Sequence, residues 1–229
     1  IAYGTPFVSG KDSLNNEFTY EDRGARNEER GNNDSESLNS RTISIPPSLL
    51  ITALGQVEDV THCVTMDLKE PGNLLYQLGV TQEFFGGTHF DLVTGGAHDG
   101  PSKVDLSAAR ALFSDLHRAI RAGLVRSCHD LSEGGLAVGL AEMAFAGGFG
   151  VEVSLAGFGK LDDAVVLFSE TPSRFVVEVA PDEVAAFEQA IPSAVRLGTV
   201  NDTSRVRIDS LEGRTLIDES LDTLKASWQ

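Results

Sequence analysis

Apolar positions recur along this chain with two different periods, and the switches between them mark out its elements. Short runs rich in branched and aromatic residues predict strands at Tyr3–Ser9, Val60–Met66, Leu74–Gly79, Phe175–Val179, Arg196–Val200 and Val206–Ile208. Ile43, Ile45 and Leu49–Leu54 are apolar too, but Pro46-Pro47 interrupts them, so a strand proper is expected to start near Leu49. A helical period appears at Ala109, Leu112, Phe113, Leu116 and Ile120, between a cap at Asp105 or Ser107 and a stop at Gly123. A second helix is expected after Ser132, with Leu136, Leu140, Met143 and Ala144 on one face and Gly147-Gly148 closing it. Its small residues (Ala137, Gly139, Ala141) suit close packing on a sheet. Pro181-Asp182 opens a short helix through Ala190, and Leu221–Trp228 forms a terminal one. Strands alternating with helices predict a mixed α/β layered architecture. Phe84–Gly100 is Gly-rich and is expected to be irregular, and no internal repeat is visible.

Between Thr19 and Arg41 the chain is polar and almost free of large apolar residues. Such a stretch buries too little surface to offset its ordering entropy, so a disordered loop is expected there. Pro71-Gly72, inside Asp67–Asn73, signals a turn and a domain junction. At 229 residues the chain suits one large domain or two small ones. A net charge of −16 argues against nucleic-acid binding. It also implies that a phosphate ligand arrives with a divalent cation, while the acidity itself reads as a solvated surface ahead of a functional acidic face. Only Cys63 and Cys128 are present, without zinc-type spacing. No apolar run approaches the roughly 18 residues that span a bilayer. The chain starts Ile1-Ala2-Tyr3, without Met or a signal peptide, so a piece of a longer cytoplasmic polypeptide is expected.

Two stretches carry candidate chemistry. In Gly4–Glu17 an apolar run ends in Gly10-Lys11-Asp12-Ser13, a turn that sets a cation, a carboxylate and a hydroxyl side by side. Such a turn suits a phosphate or its metal, and equally an ordinary strand-to-helix turn. It is not a P-loop: five residues separate Gly4 from Gly10, and Asp12 follows the lysine. In Ser127–Val138, Asp130, Ser132 and Glu133 stand at a helix start beside Gly134-Gly135. They read as a cap that complements the helix dipole, or as a pocket wall or interface loop. Cys128 and His129 are neighbours, so on a strand their side chains face opposite ways and form no nucleophile pair. His89 is a surface histidine or a ligand contact. His62, His98 and His117 lack metal-type spacing, and His117 is expected to face solvent.

Taken together, Pro6–Glu17, Ile45–Ile51 and Cys128–Val138 resemble the phosphoribosylformylglycinamidine synthase family (small-form synthetase subunit, C-terminal part). Leu140–Gly148 and Leu167–Phe175 fit it as well. This family lies in the aminoimidazole-ribonucleotide-synthetase-like superfamily. The resemblance implies a three-layer α/β sandwich at 71–229, of the C-terminal type, preceded at 1–70 by the end of an N-terminal-type domain. It implies an ATP- and Mg2+-dependent ligase that converts formylglycinamide ribonucleotide and glutamine-derived ammonia to the amidine. The chain would be part of the second of two tandem copies, inactive alone. Its expected partners are the N-terminal half of the synthetase, a glutaminase domain or subunit and a small bridging subunit. By the same resemblance Gly10 and Lys11 are nucleotide-binding and Ser13 substrate-binding. Many members have a metal-binding Asn at the position of Lys11. A protonated lysine cannot ligate a cation, so Asp12 becomes the metal candidate. The family's catalytic His and glutaminase Cys lie elsewhere, so no catalytic residue is assigned here. Alternatives are a structural docking half that binds no ligand, or a selenophosphate-synthetase-like or thiamine-phosphate-kinase-like enzyme. Neither of those enzymes explains Ser-Glu-Thr-Pro-Ser-Arg beside Gly-Lys-Asp-Ser.

Overall fold

The computed structural model describes residues 2–10, 17–22, 39–44, 51–98, 100 and 103–229. They form two compact units, Tyr3–Val57 and Glu58–Gln229. In the first, β1 (Glu17–Asp22) pairs antiparallel with β2 (Asn39–Ser44), placing Phe18 opposite Ile43 and Tyr20 opposite Arg41. The Phe18 and Tyr20 rings stack at 6.1 Å. The expected disordered loop at 19–41 is therefore corrected at both ends, which belong to this ladder; its middle, 23–38, lies outside the described residues. The strands expected at Tyr3–Ser9 and over 51–54 are absent. Phe7, Val8, Ile51 and Leu54 are exposed, and neither stretch has a ladder neighbour among the described residues to take its backbone groups.

The second unit is built on a seven-stranded mixed sheet. Its strands are β3 (Leu74–Leu78), β4 (Ser127–Asp130), β5 (Gly150–Ser154), β6 (Phe175–Val179), β7 (Val195–Asn201), β8 (Arg205–Asp209) and β9 (Thr215–Ser220). Their spatial order is β4-β6-β3-β7-β5-β8-β9, with β5–β8 parallel and the other pairs antiparallel. β3 is buried at every position, as its unbroken Leu-Leu-Tyr-Gln-Leu demands of a central strand covered on both faces. Alternation sends Leu74, Tyr76 and Leu78 to one face and Leu75 to the other. The first face is covered by α2 (Leu106–Arg121) through Leu116 and Ala119, and by α5 (Val184–Ala190) through Phe187. The opposite face is covered by α3 (Gly135–Gly147), α4 (Asp163–Phe168) and α6 (Leu221–Trp228), through Leu136, Leu140, Met143, Val166 and Leu221. The result is the expected three-layer α/β sandwich.

Local chemistry sets the element ends. Asp105 caps α2 by accepting from the Ser107 and Ala108 N–H groups at 3.0 Å. At Val60–Met66 the expected strand gives way to a 3₁₀ turn over Val60–His62, because the Asp59 carboxylate takes the Thr61 N–H at 2.9 Å and bends the chain. Phe84–Gly100, expected to be irregular, contains α1 (His89–Thr94). The fully buried Glu178 carboxylate ties the run before β3 to the sheet. It accepts from the Lys69 N–H at 2.9 Å, the Glu70 N–H at 3.1 Å, Asn73 Nδ2 at 2.7 Å and Ser127 Oγ at 2.8 Å. At the C-terminus Trp228 donates from Nε1 to Glu142 Oε1 at 2.8 Å and lies against the Phe145 ring.

Candidate functional site

β4 delivers Asp130 to the end of the sheet, and the chain turns there into α3. Leu131 N–H donates to the Arg174 carbonyl at 3.0 Å, which fixes the turn to the loop before β6. Ser132 Oγ donates to Asp130 Oδ2, so those two side chains satisfy each other. The helix start lacks the expected side-chain cap from Asp130, Ser132 or Glu133. Gly134 holds the cap position, and its N–H donates to Glu170 Oε1 at 2.9 Å. The same oxygen accepts the His89 N–H at 3.0 Å, at the first residue of α1. One mostly buried carboxylate thus closes two helix starts that are far apart in sequence, where negative charge is favoured.

Gly135 explains why the turn is glycine-rich. Its φ is +63°, and a Cβ there would stand 2.6 Å from the Ser169 carbonyl oxygen and 2.9 Å from that of Leu167. Only glycine lets α3 start this close to the end of α4.

The segment Ser169–Arg174 is held from below. Ser169 Oγ donates to the Gln82 carbonyl at 2.7 Å, and Gln82 N–H donates to Thr171 Oγ1 at 3.1 Å. The Arg174 guanidinium is buried, with Nε donating to the Thr171 carbonyl at 2.9 Å, Nη1 to Thr81 Oγ1 at 3.1 Å and Nη2 to the Ser169 carbonyl. Burial pulls its pKa down to about 10, with Glu170 acting in the opposite sense. Ser173 adopts φ +63°, a left-handed backbone that a non-glycine residue takes up at a cost of about 1–2 kcal/mol. Above this floor lies a cavity of about 370 Å³ walled by Asp130, Ser132, Glu133 and Arg174, with Phe113 and Phe175 meeting edge to face at 5.8 Å.

The structure brings Asp130, Ser132, Glu133 and Arg174 together around this cavity, with Gly134 and Gly135 directly behind the turn. Gly10 belongs to the other unit, where it is exposed and in no regular element. Lys11, Asp12 and Ser13 lie outside the described residues. Cys128 and His129 do face opposite sides of β4. Cys128 joins the α2 side of the core, where burial and then the Asp130 charge push its thiol up to about 12. His129 Nε2 pairs with Glu142 Oε2 at 2.8 Å. Sequence reasoning did not single out Glu170 or Arg174 as site residues. Their only signal was membership of the Ser-Glu-Thr-Pro-Ser-Arg motif. Among the described residues no group of three His, Cys, Asp or Glu side chains is placed to hold a metal ion, and no helix is long and apolar enough to cross a membrane.

A three-layer sandwich whose glycine-rich helix start is held by a carboxylate from the loop before β6 defines a domain of the aminoimidazole-ribonucleotide-synthetase type. Residues 70–210 match the AIR synthase related protein, C-terminal domain, and the chain belongs to that family. Among solved structures, Thermotoga maritima PurL complexed with FGAR aligns with a TM-score of 0.61 at 19% identity, over 72% of this chain and 29% of its own. The same protein complexed with ATP gives 0.60 at 17% identity, over 72% and 27%. The hydrogenase maturation protein HypE in complex with ATP gives 0.51 at 16% identity, over 70% and 55%. These likenesses establish the fold. The chain spans less than a third of the length of the PurL chains it matches.

Proposed function

We propose that this chain is part of the second tandem copy of a phosphoribosylformylglycinamidine synthase, an ATP-dependent carbon–nitrogen ligase of purine biosynthesis in the cytoplasm. The observation that carries this reading is the packing of Asp130–Gly135 onto Ser169–Arg174. The two motifs that suggest this enzyme are one folded unit around one cavity. The T. maritima PurL structures with ATP and with FGAR support the same substrates. In the proposed reaction the formyl amide oxygen of the ribonucleotide takes the γ-phosphoryl group of ATP. Ammonia then adds to the carbon, and phosphate leaves with the oxygen. The division of labour follows the sequence: 1–70 supplies Gly10 and Lys11 to nucleotide, Ser13 to substrate and Asp12 to Mg2+, while 71–229 supplies the sandwich. Mg2+, when held at Asp12, would neutralise charge on the transferring phosphates. Asp130, Ser132 and Glu133 form one wall, and Glu170 and Arg174 hold that wall rigid. The partners are the N-terminal half of the synthetase, a glutaminase and a small bridging subunit, the last two in keeping with a T. maritima PurLQS assembly.

The test is ADP release from ATP, formylglycinamide ribonucleotide and ammonium. The synthetase that carries this chain is expected to be active, and the 229-residue chain alone inactive. Asp12→Ala and Ser13→Ala in the synthetase are each expected to lower the rate. Amidine made by the chain alone would refute the assignment of chemistry to the other half. A synthetase that releases no ADP with this ribonucleotide would refute the reaction itself.

A further inference from the structure

A line of side chains runs from the end of the last helix to the wall of the candidate cavity. Trp228 lies in the last turn of α6 and donates from Nε1 to Glu142 Oε1 at 2.8 Å, with its ring 5.7 Å from that of Phe145. The other oxygen of Glu142, Oε2, is 2.8 Å from His129 Nε2. A carboxylate oxygen accepts, so the imidazole carries its hydrogen on Nε2. The second ring nitrogen, Nδ1, stands 3.5 Å from Asp130 Oδ1. Asp130 Oδ2 in turn takes the Ser132 hydroxyl, and both residues wall the cavity. The His129 and Glu142 side chains are mostly buried, at 17% and 22% exposed, whereas Trp228 is 60% exposed. The middle of the line is thus enclosed and its outer end is open to solvent.

Packing around this line leaves little slack. Gly139 stands one turn before Glu142 on α3, and a Cβ on it would come 2.7 Å from Leu131 Cδ2 and 4.0 Å from His129 Cδ2, so the end of β4 lies directly on the helix. Both oxygens of Glu142 are engaged, and charge-assisted bonds of this kind hold a carboxylate in one orientation. Loss of either donor frees it to turn, and a turn of the His129 ring changes what Asp130 faces. α6 is anchored at its start by the buried Leu221 and at its end by Trp228, and helix ends open at low free energy. We propose that α6 is a strap whose seating sets the Asp130 wall of the cavity. Seated, Trp228 holds Glu142, Glu142 holds the His129 ring, and Asp130 keeps its bond from Ser132. Lifted at its last turn, α6 releases Glu142, the ring turns, and Asp130 changes its orientation in the wall. Linkage makes the effect reciprocal: whatever fixes Asp130 in the cavity tightens the seat of α6. The strap needs only the cavity and the helix, and does not draw on the reaction proposed above.

The test follows the intact chain by ¹⁵N NMR and hydrogen exchange. Trp228→Phe keeps a ring beside Phe145 and removes the indole N–H. It is expected to shift the His129 ring nitrogens and the backbone signals of Asp130 and Ser132. Ser227→Ala, which removes a bond to the Thr223 carbonyl inside α6, should leave those signals in place. His129→Phe keeps the bulk of the ring without its nitrogens, and is expected to speed exchange of the Trp228 indole N–H by roughly fivefold or more, the lower end of a typical coupling between sites. Glu142→Gln keeps the length of the side chain with one acceptor oxygen in place of two, and should produce both effects. A purely local packing role would move only the signals next to each substitution. Undisturbed Asp130 and Ser132 signals in Trp228→Phe would overturn the proposal, as would an unchanged indole exchange rate in His129→Phe. If Trp228→Phe shifts Asp130 and Ser132 as much in the Glu142→Gln protein as in the native one, the effect does not pass through Glu142 and the proposal falls.

Discussion

Replacing Gly135 with alanine tests how closely α3 approaches the end of α4. Two costs add. The backbone at φ +63° costs an L-residue about 1–2 kcal/mol, partly offset by about 0.4–1 kcal/mol from the stiffer unfolded chain. The new Cβ would also stand 2.6 Å and 2.9 Å from two carbonyl oxygens, which are backbone atoms and cannot swing aside. Overpacking of this kind costs about 1–3 kcal/mol. The expected loss is about 3 kcal/mol, or about 6–12 °C in melting temperature for a domain of this size. Gly148 supplies the control, since its φ is +76° but nothing lies within 4 Å of a Cβ there. Gly148→Ala should show only the conformational cost, about 1 kcal/mol or less. Calorimetric melting of the two variants separates the terms. If Gly135→Ala melts within about 2 °C of Gly148→Ala, the close approach is not constraining, and the account of the glycine pair fails.

Three further outcomes are expected. Glu170→Gln keeps the acceptor but loses the charge on two hydrogen bonds, which should cost about 2 kcal/mol and speed amide exchange at Gly134 and His89; unchanged exchange would show that the carboxylate does not hold both helix starts. In the native protein a thiol reagent at pH 8 should label Cys63, which is exposed, and spare Cys128, whose thiol is pushed up to about 12; both should react after unfolding, and two fast native thiols would contradict the burial. Burial, then the hydrogen bond to Glu188, push the Tyr76 phenol up to about 12, against about 10 unfolded. Its contribution is therefore present below pH 10 and lost as pH rises toward 12; Tyr76→Phe should remove that alkaline loss and the last-ionising phenol, and a wild-type-like alkaline profile would refute the shift.

What the sequence made legible was whatever depends on near neighbours. α2 with its Asp105 cap, β6 and α6 follow from periodicity and capping within a turn or two. The hairpin of β1 and β2 was hidden because its charged and hydroxyl residues dominate the composition, although Phe18 and Tyr20 keep the two-residue alternation of a strand. β9 was hidden because Thr215–Ser220 is largely exposed, leaving no apolar run to mark it. At the candidate site the turn was visible, but the group that closes it was not. Glu170 is 36 residues from Gly134 and 81 from His89, a distance at which local capping patterns carry no information. The contact of His98 Nδ1 with the Asp91 carboxylate was equally hidden, since a carboxylate behind an imidazole is a fact of the fold and not of spacing.

Trp228 is the only tryptophan in the chain, and it sits at the end of the last helix with its indole N–H on Glu142 and its ring beside Phe145. The protein therefore carries a built-in optical reporter. Its intrinsic tryptophan emission comes from one ring, and that ring senses whether α6 is seated on α3. The other oxygen of Glu142 holds His129, one residue before the Asp130 turn, so the reporter is two contacts from the candidate cavity. Fraying of the C-terminus, or a ligand that moves the turn, can be followed by fluorescence without adding any label.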